Sequence, residues 1–144
     1  MLRPLYLILL TASALLSSCS KGSEPMPAPV YLFDQQWQLT QLQGQGVAAA
    51  PGTAATSLTL SSVANTNNGQ AACNTYGGTF VLTAGTGRLR FSGQLSTRAT
   101  CPDQDLETRY LTLLPQVERY VISRRQLQLF SRESAQPLLV FEAK

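Results

Sequence analysis

Few side chains in this sequence are able to do chemistry, and their types exclude more than they allow. Histidine, the commonest general base near neutral pH, is absent from the 144 residues, which removes a Ser-His-Asp mechanism. A Ser-Lys dyad would have to use Lys21 or Lys144, and neither falls within a segment that reads as a rigid element. Asp103, Asp105 and Glu107 cluster, but glycoside hydrolysis needs two carboxylates facing each other across a cleft. Acids so close in sequence read more simply as the first turn of a helix. Tetrahedral zinc wants four Cys, His or carboxylate ligands, so Cys19, Cys73 and Cys101 without a histidine give no metal site. Gly77-Gly78 is followed by no Lys-Ser/Thr pair and no helix start, so a phosphate-cradling glycine loop has no support. The expectation is a protein that is not an enzyme and uses no cofactor.

The cysteines carry the other chemistry. Arg3 precedes an apolar run from Leu5 to Leu16, followed by small Ser17 and Ser18, the basic, apolar, small order of a secretory signal. A dozen residues fall short of the ~20 needed to cross a bilayer as a helix. Leu16-Ser17-Ser18-Cys19 resembles the bacterial lipobox, which implies cleavage after Ser18 and a lipid on Cys19. Ser20, in place of Asp, resembles the enterobacterial signal for outer-membrane delivery. Residues 1–18 are thus expected to be a signal peptide and 19–30 a lipidated tether. Pro25, Pro27 and Pro29 argue against a strand there, and at ~3.1 Å per extended residue the tether would span about 30 Å. With Cys19 acylated, Cys73 and Cys101 remain. In an exported protein they are expected to form a disulfide worth ~3 to 4 kcal/mol in the chain-entropy model; two buried reduced thiols are the alternative.

The elements that must position these residues read mainly as strands. Removing eighteen residues leaves 126 of the 144, enough for one domain, 31–144, with a real core. Only 13% of residues are charged, below the usual quarter. The net charge of +3 is too mild to point to nucleic acid. Period-two alternation places Trp37, Leu39 and Gln41 on one face, then Leu58 with Leu60, Phe80 with Leu82, and Leu89 with Phe91. Tyr120 to Ile122, Leu127 with Leu129, and Leu139 with Phe141 follow. Pro51-Gly52, Asn68-Gly69, Gly77-Gly78, Gly85-Thr-Gly87 and Gly93 read as turns, which makes the chain a series of hairpins. Trp37 is expected to be a core anchor whose indole N–H needs one partner, and Asn74 a turn former. The segment from about 103 to 114 breaks the alternation. Leu106, Tyr110, Leu113 and Leu114 form a helical stripe, Pro102 suits its start and Pro115 its end. The expected fold is α+β: a single compact domain in which a curved antiparallel sheet of short strands packs on one amphipathic helix.

These pieces resemble, in order, the META domain, or HslJ-like, family of small bacterial envelope lipoproteins. The resemblance covers about residues 33 to 142. It runs through Trp37-Gln-Leu39, Gly69-Gln-Ala-Ala-Cys73-Asn74, Gly78-Thr-Phe80, Ser96-Thr-Arg-Ala-Thr-Cys101, and Glu107 with Leu111 and Leu114. Ala72 stands where the family often has glycine. Several members keep both cysteines, which adds weight to the Cys73–Cys101 bridge. The resemblance implies a non-catalytic envelope protein, anchored to the membrane through Cys19, linked to heat-shock response or antibiotic (novobiocin) tolerance.

Arginine is the remaining signal. Eight arginines fall in residues 31–144, where lysine occurs only at Lys144, and Arg88 and Arg90 are expected to share a strand face. Guanidinium forks bind phosphate and carboxylate bidentately, so this face is a candidate surface for an envelope protein or an anionic envelope component. A solvated sheet face is the plainer reading. A different class of function, a secreted protein-binding or inhibitor module, would use a loop such as Ala48 to Thr56 or Asn65 to Gln70. Those segments lack the aromatic or Arg anchors of an energetic hot spot.

Overall fold

The computed structural model describes residues 30–144; the expected signal peptide, Cys19 and nearly all of the tether lie outside them. Nine strands occur in the order β1 (Trp37–Leu42), β2 (Gln45–Gly46), β3 (Ser57–Leu60), β4 (Thr66–Gln70), β5 (Thr75–Thr83), β6 (Arg88–Ser96), β7 (Arg119–Ser123), β8 (Gln126–Phe130) and β9 (Leu139–Ala143). One helix, α1 (Gln104–Leu113), lies between β6 and β7 and runs into a 3-10 turn, Leu114–Gln116. All pairings are antiparallel.

The sheet is one large unit and not a row of small hairpins. β1 pairs with β9 as well as with β3, so eight strands form a closed circuit of pairings and β2 hangs on the far end of β1. Closure removes the exposed edges that isolated hairpins would leave. Three joints in the circuit are thin: β1–β3 pairs at Trp37 and Gln38, β3–β4 at Thr59 and Leu60, and β6–β7 only at Arg88↔Arg119.

The alternating leucines and aromatics fill the interior, as side chains do in a small closed sheet. Trp37, Leu58, Leu60, Leu89, Leu127, Leu129, Leu139 and Phe141 are all fully buried. The Trp37 indole N–H donates to the Leu32 carbonyl at 3.0 Å, the single partner that it requires. Helix α1 adds Tyr110 and Leu113, and the 3-10 turn after it Leu114, to the same core. Tyr110 meets Tyr76 and Phe141 edge-on, at centroid distances of 5.5 and 6.3 Å. The Tyr76 hydroxyl donates to the Ser57 carbonyl at 3.0 Å, so the Tyr110 hydroxyl donates to Tyr76 at 2.5 Å. Burial raises both phenols above their ordinary value, and they stay neutral.

Three expectations change. Gln41 is exposed and Leu42 buried instead, because the β1–β9 register shifts between Leu39 and Gln41 and the extra residue of that bulge breaks the alternation. Asn68-Gly69 and Gly77-Gly78 are not turns: they lie inside β4 and β5, where Asn68 pairs with Gly77, Gly69 with Tyr76 and Gly78 with Asn67. Gly69 serves close approach, since a β-carbon there would run into the Ser57 carbonyl and the Tyr76 ring. Gly93 lies inside β6, at φ +61, where the β5–β6 register shifts. The helix keeps its expected place. Pro115 is in the 3-10 turn that terminates it, since proline has no N–H to continue the α-helical ladder.

Candidate functional site

The polar residues singled out by sequence gather in two places. The first is the junction of α1 with the turn between β4 and β5. Glu107 is 3% exposed, an unusual position for a carboxylate unless it is fully paired. Its Oε2 accepts the backbone N–H groups of Cys73 and Asn74, both at 2.8 Å. Its Oε1 accepts from Asn74 Nδ2 at 2.6 Å. Asn74 is spent in turn: Nδ2 also donates to the Ala99 carbonyl at 2.8 Å, while Oδ1 accepts from Thr97 Oγ1 at 2.9 Å and Ala99 N at 2.6 Å.

Cys73 and Cys101 are joined in a disulfide with Cα atoms 5.4 Å apart. Disulfide and Asn74–Glu107 network together clamp the 97–101 segment, the β4–β5 turn and the helix. Asn74 is therefore more than a turn former, and Glu107 is more than a partner for the helix dipole. Sequence reasoning missed this role; the signal available was that Glu107 is one position from Leu106 and three from Tyr110, hence at the margin of the apolar stripe.

The other acids part company. Asp103 Oδ2 accepts from Ala50 N at 2.9 Å and Thr53 Oγ1 at 2.6 Å, pinning the Ala48–Thr56 loop to the start of α1. Those two donors hold its carboxyl below the ordinary value. Asp105 is exposed in the first turn of the helix, as the dipole argument expects. The three carboxylates thus do not converge on a cleft. Among the described residues no cluster of three or more His, Cys, Asp or Glu is placed to hold a metal. Beside the clamp runs an open groove of about 510 Å³, with Thr97, Arg98, Gln104, Thr108 and Thr112 among its walls.

The second place is the thin joint between β6 and β7. Arg88 and Arg90 do share the outer face of β6, alternating with buried Leu89 and Phe91. They are not equivalent. Arg90 donates to Glu118 Oε2 from Nε at 3.1 Å and Nη2 at 2.6 Å, and this pairing holds the Glu118 carboxyl below its ordinary value. Arg119, directly opposite Arg88, lies over the Phe130 ring at 4.2 Å and donates to the Ser134 carbonyl. Arg88 and Arg132 have no side-chain hydrogen bond to the described residues. With Thr86, Glu118 and Arg119 they line a hollow of about 120 Å³. The pairing of Arg90 with Glu118, and the arrival of Arg119 and Arg132 from β7 and the segment after β8, were beyond sequence reasoning because they depend on the closure of the sheet.

Comparisons with known proteins agree on the fold. A solved NMR structure of a protein from Burkholderia xenovorans is similar at a TM-score of 0.60 and 28% identity, covering 78% of this chain and 83% of that one. A second NMR structure, at 19% identity and a TM-score of 0.59 over 77% of this chain and 90% of that one, shows the fold alone. No curated protein matches. The model of the META domain matches residues 30–144, the whole of the described barrel with its helix. The Ala72-Cys73-Asn74 turn, the second cysteine and Glu107, which carried the sequence resemblance, are the parts the structure brings together in one clamp, and the chain belongs to the META domain family.

Proposed function

We propose that this protein is a non-catalytic, lipid-anchored protein of the bacterial envelope, held at the outer membrane through Cys19 and contributing to envelope stress tolerance by binding another envelope component. The division of the three cysteines carries this reading. Cys73 and Cys101 satisfy each other inside the domain, which leaves Cys19 as the one remaining cysteine, at the end of Leu16-Ser17-Ser18-Cys19. A stable disulfide belongs to an oxidising compartment, in keeping with export.

The absence of catalysis is supported by what the carboxylates already do. Glu107, the buried one, has both oxygens engaged by the scaffold, whereas a general acid or base needs an oxygen free to reach substrate. Asp103 and Glu118 each give one oxygen to a structural contact. Binding falls to the arginine face of β6. The inhibitor-loop alternative draws no support: Asn65 to Gln70 is mostly strand β4, and Ala48 to Thr56 is tied down by Asp103.

Mass spectrometry of the protein from the envelope tests the first half. The expected result is a mature chain that begins at an acylated Cys19, with the peptides around Cys73 and Cys101 joined until reduced. A Cys19→Ala chain should lose the lipid and accumulate uncleaved. Lipid incorporation that survives this substitution sinks the anchor. For the second half, a strain lacking the protein should survive heat or novobiocin less well than its parent; equal survival removes the stress-tolerance role.

A further inference from the structure

Closure of the sheet sets Arg88 and Arg119 directly opposite each other, and like charges at opposed positions of a ladder are destabilising. Arg90 shares their outer face, and Arg132, from the segment after β8, lines the same hollow as Arg88 and Arg119. Four guanidiniums thus gather around one carboxylate, Glu118, which is engaged in a two-donor contact with Arg90. The joint carries excess positive charge at the place where the β6–β7 ladder is thinnest.

The two most constrained arginines are held in ways that leave the others open. Arg119 is fixed by its stack on Phe130 and its bond to the Ser134 carbonyl, which orients it without neutralising it. Arg88 and Arg132 bring unspent N–H donors to the same hollow of about 120 Å³. That volume is well below the ~300 Å³ or more of a pocket for a drug-sized molecule, so it admits a small anion or the charged tip of something larger. A carboxylate offers two oxygens and one charge, and Glu118 gives one of its oxygens, Oε2, to both donors of Arg90. A phosphate group offers several acceptor oxygens and up to two charges, which matches donors arriving from three separate arginines.

We propose that the hollow between Arg88, Arg119 and Arg132 is a phosphate-binding site. It rests on the reading of the β6 arginine face as the binding surface and not on the lipid anchor. The phosphate is either that of a lipid headgroup or that of a soluble phosphate compound.

The test titrates inorganic phosphate into the full-length mature protein in neutral detergent, at constant ionic strength held with sodium chloride, and follows the arginine Nε–H signals by NMR. Saturable shifts are expected at Arg88, Arg119 and Arg132. Arg88→Gln and Arg132→Gln should each weaken binding about fivefold, the loss for one solvent-exposed charged contact. The Arg124→Gln/Arg125→Gln pair, elsewhere on the surface, should change nothing. Shifts that do not saturate, that match those given by chloride, or that persist unchanged in the Arg88→Gln/Arg132→Gln double variant overturn the proposal.

A second arm uses phosphatidylcholine vesicles with and without phosphatidic acid. Retention on the phosphatidic acid vesicles in excess of that on phosphatidylcholine alone, with the excess lost in the double variant, assigns the site to a headgroup. Saturable phosphate binding with equal retention on both vesicles assigns it to a soluble compound. An excess on phosphatidic acid that is indifferent to the double variant counts against the site. Because phosphate binding is read whether or not Cys19 is acylated, failure here leaves the envelope anchor standing, and loss of the anchor leaves this result standing.

Discussion

Replacing Glu107 with glutamine separates two accounts of one acidic residue. If Glu107 only complements the helix dipole, Glu107→Gln costs a few tenths of a kcal/mol, as exposed charges near a helix N-terminus do. The structure gives it much more to lose. The glutamine oxygen can keep the amides of Cys73 and Asn74, now without the charge that takes such bonds from about 1 to about 1.5–3 kcal/mol. The glutamine NH₂ then faces Asn74 Nδ2, now 2.6 Å from Oε1, donor against donor. Asn74 cannot turn its amide to relieve the clash without losing its bonds to Thr97 and Ala99. An unsatisfied buried donor costs about 1–3 kcal/mol, and the lower cost of burying a neutral side chain offsets part of this. The net expectation is a loss of about 2 kcal/mol, or a fall in Tm of roughly 6–10 °C for a domain of this size. Trp37, the only tryptophan and fully buried, reports unfolding in urea and on heating. Asp105→Asn, in the same helix turn but exposed, should stay within about 0.5 kcal/mol. Equal effects of the two substitutions, or a Glu107→Gln loss below about 0.5 kcal/mol, would refute the clamp.

Two further outcomes follow from the same region. The folded-state pKa of Asp103 lies below its ordinary 3.8, so its hold on Ala50 and Thr53 is fully present above the unfolded value and is lost as pH falls through the folded one. Amide exchange at Ala50 should therefore accelerate, relative to its intrinsic rate, only below about pH 3.8, and Asp103→Asn should abolish that acid limb. A midpoint above 3.8 would contradict the assignment. Ala72 is buried at φ +86, a backbone costing an L-residue about 1–2 kcal/mol. Ala72→Gly removes that cost and gives back about 0.5–1 kcal/mol in backbone entropy and about 0.8 kcal/mol in lost methyl burial, so urea denaturation should place it within about 1 kcal/mol of the parent. Ala72→Val, with a β-branched side chain at positive φ, should cost at least about 2 kcal/mol more than the glycine; if the two are equal, the turn does not hold this conformation.

How much of this was legible in the sequence depended on whether the signal was local. The alternation of Leu58 with Leu60, or Leu89 with Phe91, names an inward face because side-chain direction has period two wherever a strand runs. The stripe of Tyr110, Leu113 and Leu114 and the Pro115 terminus are equally local. Gly69 and Gly78 misled because glycine marks both a turn and a close approach of strands, and only the partner distinguishes them: the Ser57 carbonyl against Gly69, the Gln94 side chain against Gly78. Leu42 replaced Gln41 on the inner face because a bulge depends on the opposite strand. Ala72 illustrates the limit of a resemblance. Its family counterpart is often glycine, yet the left-handed backbone survives the alanine, held by Gln70 Nε2 donating to the Ala72 carbonyl at 3.2 Å and by Glu107 receiving the next two amides.

The clamp and the thin joint explain each other. A closed sheet must make every joint, and β6–β7 makes its own with one residue pair, helped by backbone bonds from Leu89 N to the Glu118 carbonyl and from Tyr120 N to that of Gly87. The long connection from Ser96 to Arg119, with α1 inside it, would otherwise bear a closure cost that so few bonds do not repay. Three ties shorten it in effect: the disulfide at Cys101, Glu107 on the Cys73–Asn74 amides, and Asp103 on the 48–53 loop. With the connection held from inside, the outer side of the joint is freed from a structural duty. Arginines that repel one another can then stand there at small cost, which is the condition for a site that gains stability only when an anion arrives.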